Sequence, residues 1–409
     1  MPTMDLELQK QDLLARWKQA FNETEQIQQY KDKIQTERYI PGFRYDLKDY
    51  GTPLFLKPEE KLFPEARSRE ISDYHFYGFA ADGLPCYTSF GHRVSKVSWE
   101  GYYSYSDNVV EYVEFCMETG IPSTIKRFIY NNGEKTIYQS LSVNSRGSIP
   151  IYKGVPKAQI ITGIIEDQHS LFCTVEKYTT ENGKILKADC IAIAPGSGEY
   201  RYEEIYRYDD TGKLDEIRTV YEDGKSSLAY VQLDNVVNIN QLSNEVSESM
   251  AEAIIETLLE AKIEMPISLL EINYKFVTEY MPLLTPRSLA FTNEISEEHM
   301  DEDIFDLIFL STEVSHAYLH LNAGKFERVF RQFIQIIERE EKWDMGTAML
   351  RKVAYLLTTG KMNNRIPVSD EFAAYAIDWE SDMEEFEDIL VECGVAGTVI
   401  DSWKDRGWL

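Results

Sequence analysis

The chain has 409 residues, 43% hydrophobic and 12% aromatic, which excludes wholesale disorder and leaves room for two or three domains with ordinary cores. Its formal net charge of −27 repels nucleic-acid phosphates and anionic membranes, and argues against both as partners while favouring a basic protein surface. Residues 1–21 read as an amphipathic helix rather than a signal peptide, no apolar run approaches a bilayer span, and the five scattered cysteines lack any CxxC spacing, so a reducing, cytoplasmic setting is expected.

Taken in chain order, residues 4–38 place Leu13, Trp17, Ala20, Ile27, Tyr30 and Ile34 at three- and four-residue spacings, which predicts one long amphipathic helix stopped before Pro41. Residues 41–70 hold Pro41, Pro53, Pro58 and Pro64 and read as an extended connector. From 71 to about 240 the chain alternates aromatic and β-branched residues with polar ones. Six turn signals punctuate it: Asp82-Gly83, Thr119-Gly120, Asn132-Gly133, Asn182-Gly183, Thr211-Gly212 and Asp223-Gly224. Parallel pairing would need crossover segments that are absent there, so the region is an antiparallel hairpin meander of about ten to twelve strands.

Near Asn238 the pattern changes to helical spacing, broken at Pro266, Pro282, Pro286, Gly324, Gly360 and Pro367. Helices are expected over about 303–321, 325–340 and 344–359. The fold class is therefore α+β: an N-terminal helix and connector (1–70), a central antiparallel β-hairpin meander (71–240) and an acidic C-terminal all-α bundle (241–409). Part of that bundle is expected to cover the apolar face of the hairpin layer, coupling the two thermally.

Two local resemblances follow from particular residues. Tyr206-Arg207-Tyr208-Asp209-Asp210-Thr211-Gly212-Lys213-Leu214 resembles the core of the YD repeat of Rhs-type proteins. In that family the motif is structural, so the resemblance implies hairpins and carries over no catalytic residue. Ala317-Tyr318-Leu319 with Gly324-Lys325-Phe326 is echoed by Ala354-Tyr355-Leu356 with Gly360-Lys361-Met362, a spacing similar to tetratricopeptide helical hairpins. Two copies are fewer than a solenoid needs, which favours a bundle.

For chemistry, the sharpest constellation is Glu313, His316 and His320, whose spacing would put a carboxylate and two imidazoles on one helical stripe able to chelate a metal. Ala317 stands where a metalloprotease motif needs Glu, and no second Glu-x-x-His occurs in the helical half, so neither a metal nor another cofactor is assigned. No nucleophile elbow, phosphate loop or dinucleotide fingerprint is present, and no catalytic residue is assigned.

Charge is uneven. Residues 241–409 hold 33 acidic against 14 basic side chains, a net of −19, and residues 1–240 hold 36 against 28, a net of −8. Within the acidic part, Asp378, Asp382, Glu384, Glu385, Glu387 and Asp388 interleave with Trp379 and Phe386. A calcium loop counted from Asp378 fails, because its sixth and twelfth positions are Met383 and Ile389. Carboxylates beside aromatics instead suit a docking surface for a basic protein. The expected function is a non-enzymatic interaction protein, in concrete form an immunity-type inhibitor of a cationic bacterial toxin. The alternatives are a metal-dependent enzyme built on Glu313, His316 and His320, or a structural scaffold.

Overall fold

The computed structural model describes residues 2–41, 47–48, 74–92, 97–143, 152, 154–166, 170–195, 198–233, 238–263, 265–276, 279–298, 304–310, 314, 316–324, 326–340, 342–362, 365–379 and 383–409. The chain divides into two compact units, Met1–Ala229 and Tyr230–Leu409.

The first unit opens with α1 (Pro2–Ala20), a turn at Thr24–Gln26 and α2 (Ile27–Lys31). Twelve strands follow: β1 (Thr36–Pro41), β2 (Tyr74–Phe79), β3 (Pro85–His92), β4 (Val97–Tyr105), β5 (Val109–Cys116), β6 (Ile121–Asn131), β7 (Glu134–Val143), β8 (Leu171–Glu181), β9 (Lys184–Ala194), β10 (Gly198–Tyr208), β11 (Leu214–Tyr221) and β12 (Ser226–Val231). A helix, α3 (Lys157–Glu166), is inserted between β7 and β8. Each strand neighbours the next in sequence, giving one antiparallel meander of twelve strands. The hairpins expected from the turn signals are present. Asn132-Gly133 and Asn182-Gly183 are two-residue turns with positive φ at both positions (51° and 80°, 53° and 74°), the backbone that the twist of a hairpin requires. In the YD-like segment the Asp209 carboxylate accepts from the Thr211 hydroxyl and from the backbone N–H groups of Thr211 and Lys213. Those bonds fix the turn and hold its pKa below the usual carboxylate value.

The single helix expected over 4–38 is corrected: it stops at Ala20, restarts briefly as α2, and residues 36–41 form a strand paired with β2. The break has a local cause. Glu23 folds back to accept two bonds from the Arg16 guanidinium and one from the Tyr102 hydroxyl, which ends the helix at the sheet surface.

One face of the sheet carries Tyr102, Val113, Ile125, Leu141, Val175 and Ile191, and Leu13, Trp17, Phe21, Ile160 and Ile164 of the helices bury it. The Trp17 indole donates to the Pro122 carbonyl at 2.9 Å, and Arg16 bridges Glu23 and Glu111. Cover for this apolar face thus comes from α1 and α3 of the same unit.

The second unit begins with α4 (Ile239–Ala261), capped by the Asn238 side chain, which accepts from the backbone N–H groups of Asn240 and Gln241. Next come β13 (Ile267–Lys275), β14 (Glu279–Ser288), α5 (Leu289–Glu298), a π-helical turn at Asp306–Leu310 and the short β15 (Leu319–His320). Then follow α6 (Glu327–Glu340), α7 (Asp344–Leu356), β16 (Val368–Asp378), α8 (Phe386–Glu392) and α9 (Gly397–Asp405).

The all-α bundle expected here is corrected. Four strands form a mixed sheet in the order β15-β14-β13-β16, antiparallel except for the parallel β13–β16 pair. The reason is burial on both faces. In β16 the run Phe372-Ala373-Ala374-Tyr375-Ala376-Ile377 is apolar and buried throughout, which periodicity cannot separate from helix. By contrast Leu270 to Lys275 of β13 does alternate apolar with polar residues, a strand signal the sequence reading passed over, and its polar members Glu271 and Asn273 are buried as well. Pro282 and Pro286, read as helix breakers, lie within β14. Tyr274 and Tyr375 project to opposite faces. The Tyr274 hydroxyl meets Thr347 of α7, and the Tyr375 hydroxyl donates to the Phe309 carbonyl, so helical elements cover both sides. Gly346 lets α7 approach: a Cβ there would lie 2.3 Å from the Tyr280 ring.

Candidate functional site

The acidic segment singled out in the sequence follows the C-terminal end of β16. Asp378 is the last residue of that strand and accepts the Phe276 backbone N–H at 3.1 Å. Trp379 comes next. It is 56% exposed and stacks on Tyr318, itself 36% exposed, with ring centroids 5.6 Å apart and planes 18° apart. Phe276, also exposed, follows the end of the neighbouring strand β13 and meets the Tyr280 ring. Ligands of α/β sheets gather outside the carboxyl ends of parallel strands, because the chain must leave the sheet there in loops.

The remaining positions separate. Asp382 lies outside the described residues. Glu384 and Glu385 occupy an exposed helical turn before α8. Phe386 faces inward, 2% exposed, with ring contacts to Phe305, Phe309 and Tyr375. Glu387 is exposed but pairs with Lys404 at 2.6 Å, whereas Asp388 is exposed and enters no ion pair among the described residues. The surface therefore consists of an aromatic pair with carboxylates around it, and Phe386 serves the core beneath.

The metal-chelating stripe is not a helical face. Glu313 lies outside the described residues, His316 sits in a turn, and His320 lies in β15 opposite Leu283. Tyr318 between them has φ of 59°, a left-handed conformation that no helix accommodates. Among the described residues no cluster of three His, Cys, Asp or Glu side chains is placed to hold a metal. The tetratricopeptide-like echo dissolves for the same reason, since Ala317-Tyr318-Leu319 falls in this turn and β15 whereas Ala354-Tyr355-Leu356 ends α7. All five cysteines are buried, and burial raises every thiol pKa, to about 12 at Cys173 and about 11 at Cys393. None is a thiolate at neutral pH, the state a nucleophile needs.

Sequence reading missed a buried group of charges. On the face of the twelve-stranded sheet opposite α1, Glu176 of β8 and Glu204 of β10 flank the small residues Ala188 and Cys190 of β9. Lys48, from the Pro-rich connector, fills the space above β9 and pairs with both carboxylates, at 3.1 Å to Glu204. The Tyr178 hydroxyl donates to Glu176 at 2.8 Å and that of Tyr206 to Glu204 at 2.7 Å. Burial opposes the Lys48 ammonium, but the two carboxylates outweigh it and raise its pKa. Burial, together with Glu204, raises the pKa of Glu176 against the pull of Lys48. This cluster holds Lys48 against the sheet. Its sequence signal was faint: two acids at strand positions whose cross-strand neighbours are small.

Among the described residues no helix is long and apolar enough to cross a membrane. No family model matches the chain and no curated protein is detectably similar to it, so its residues alone carry the functional reading.

Proposed function

We propose that this chain is a non-enzymatic, cytoplasmic binding protein whose acidic second unit captures a basic protein partner, an immunity-type inhibitor of a cationic toxin being the concrete form. The observation that carries the reading is the exposed Trp379–Tyr318 stack at the end of β16, set beside Asp378 and followed by the exposed carboxylates Glu384, Glu385 and Asp388. Carboxylates of this kind steer encounter with a cation, and an exposed indole face anchors a Lys or Arg side chain of the partner by cation–π attraction and buried area.

The test is capture from a lysate of the source cells, followed by kinetics with the purified partner. The partner should be basic. Raising salt from low to physiological levels should slow association, because exposed charges are screened over about 8 Å at physiological ionic strength. Trp379→Ala should accelerate dissociation by about tenfold or more, as for an anchoring aromatic. Combining Glu385→Gln with Asp388→Asn should slow association at low salt with the fold retained; Glu387 is left intact because it holds Lys404. An acidic partner, or rates indifferent to salt and to both variants, would remove the proposal.

A further inference from the structure

We infer that the second unit also holds a small-molecule site, distinct from the acidic aromatic surface, that takes a compact amine with an apolar body and a carbonyl oxygen. It lies where the parallel ladder between β13 and β16 is interrupted. Ile267 pairs with Val368, but the next pair is Leu269 with Ala373, so one residue of β13 faces four of β16. The excess makes Ser369, Asp370 and Glu371 bulge from the sheet, the kind of irregularity that re-aims side chains next to functional sites. A cavity of about 280 Å³ opens there, closed behind by Trp403 of α9 and by Trp408, and beside by Leu289 and Thr292 of α5. That volume is close to the lower end of the range of about 300–1,000 Å³ usual for small-molecule sites.

The chemistry of the ligand follows from the wall. Trp403 is 1% exposed, and its indole N–H finds no acceptor among the described residues; the buried hydroxyl oxygen of Ser369 likewise has no partner there. Buried polar atoms are rarely left unpaired, and two in one cavity wall call for a guest that supplies an acceptor. By contrast Ser268 and Thr292 are already satisfied, Thr292 donating to Ser268 and Ser268 to the backbone carbonyls of Arg287 and Ser288. The apolar surface comes from Leu269, Leu289 and the two indoles, whose rings stack at 6.3 Å. Charge at the mouth is lopsided. Arg406 is spent on Glu371 and on the face of Trp408, whereas Asp370 is exposed and enters no ion pair among the described residues. One uncompensated carboxylate at the mouth selects a cation. An arylalkyl amine bearing an amide combines what the wall asks for: an acceptor for the indole N–H, an apolar body for the two indoles and an ammonium for Asp370.

The probe is para-aminomethylbenzamide, titrated into the full-length protein by calorimetry and by saturation-transfer NMR. Two truncated relatives dissect it: para-methylbenzamide, which lacks the amine, and para-methylbenzylamine, which lacks the carbonyl. The complete probe should bind at one saturable site, and each truncation should weaken it by about tenfold, the worth of one hydrogen bond or ion pair. Trp403→Phe should remove the preference for the carbonyl and Asp370→Asn the preference for the amine. If Trp403→Phe fails to fold, Ser369→Ala on the bulge takes its place and should weaken the amide probes alone. No saturable binding at millimolar concentration, or equal affinity for all three compounds, overturns the assignment. Neither result bears on partner capture at Trp379.

Discussion

Lys48→Met is expected to destabilise the first unit by about 3–5 kcal/mol, the usual cost of removing one partner from a buried ion pair. The substitution keeps most of the side-chain volume and removes only the charge. Glu176 and Glu204 are 1% and 3% exposed, so the variant takes the Lys48 charge away from two buried carboxylates that flank Ala188 and Cys190. Adding Glu176→Gln and Glu204→Gln should restore more than half of the loss, because the amides still bond Tyr178 and Tyr206 and carry no charge to desolvate. Urea denaturation followed by hydrogen exchange at β8–β10 measures both effects, and a triple variant no better than Lys48→Met would show that Lys48 acts through packing alone.

A pH dependence accompanies this cluster. The folded-state pKa of Glu176 lies above its ordinary value of 4.5, so the native state binds that proton more tightly than the unfolded chain does. Its contribution therefore favours folding below 4.5 and declines as pH rises through the folded-state value. Glu176→Gln should flatten that segment of the stability profile.

The second large effect is expected at Arg287, which is fully buried in the four-stranded sheet. Its guanidinium donates to Glu271 at 2.9 Å, to the Thr285 carbonyl and to the Tyr375 hydroxyl, while Asn273 donates to the other Glu271 oxygen. Arg287→Met should cost about 3–5 kcal/mol by stranding the Glu271 carboxylate. Arg287→Lys should not rescue it, since one ammonium cannot reproduce a planar fork serving three acceptors on three strands. Pairing Arg287→Met with Glu271→Leu should recover much of the loss, and a double-mutant cycle in urea measures the coupling. Additive losses, with no coupling, would mean that the pair contributes nothing as a pair. Since Tyr375 lies on β16, loosening this network should also lower the thermal stability of the strand that presents Trp379.

The sequence by itself determined the antiparallel hairpin layer of the first unit and its turns, though it read the start of β1 as helix. Asn132-Gly133 and Asn182-Gly183 admit few backbones other than a tight hairpin turn, and strands such as β10 alternate their two faces, so local chemistry and fold agree there. It also showed the acidity of the second unit and the run of carboxylates after β16. α3 was legible in principle, from Ile160, Ile161, Ile164 and Ile165 following Pro156, but it is short and lies amid strands.

Other features came only from tertiary structure. β16 is buried on both faces, and its apolar run over 372–377 carries no period by which to recognise it. β13 alternates from Leu270 to Lys275 but buries its polar members Glu271 and Asn273 beside Arg287, a partner only the sheet register supplies. The stripe of Glu313, His316 and His320 presupposed a helix that the left-handed backbone of Tyr318 does not permit. Lys48, Glu176 and Glu204 are 128 and 156 residues apart in sequence, and only strand register brings them together. Trp379 and Tyr318 likewise become a surface through pairing of distant segments, whereas Phe386, equally prominent in the sequence, turns inward because the core beneath β16 needs its ring. Local spacing fixes which way a residue faces on its own element; which elements meet, and so which side chains share a site, depends on long-range packing that no local pattern encodes.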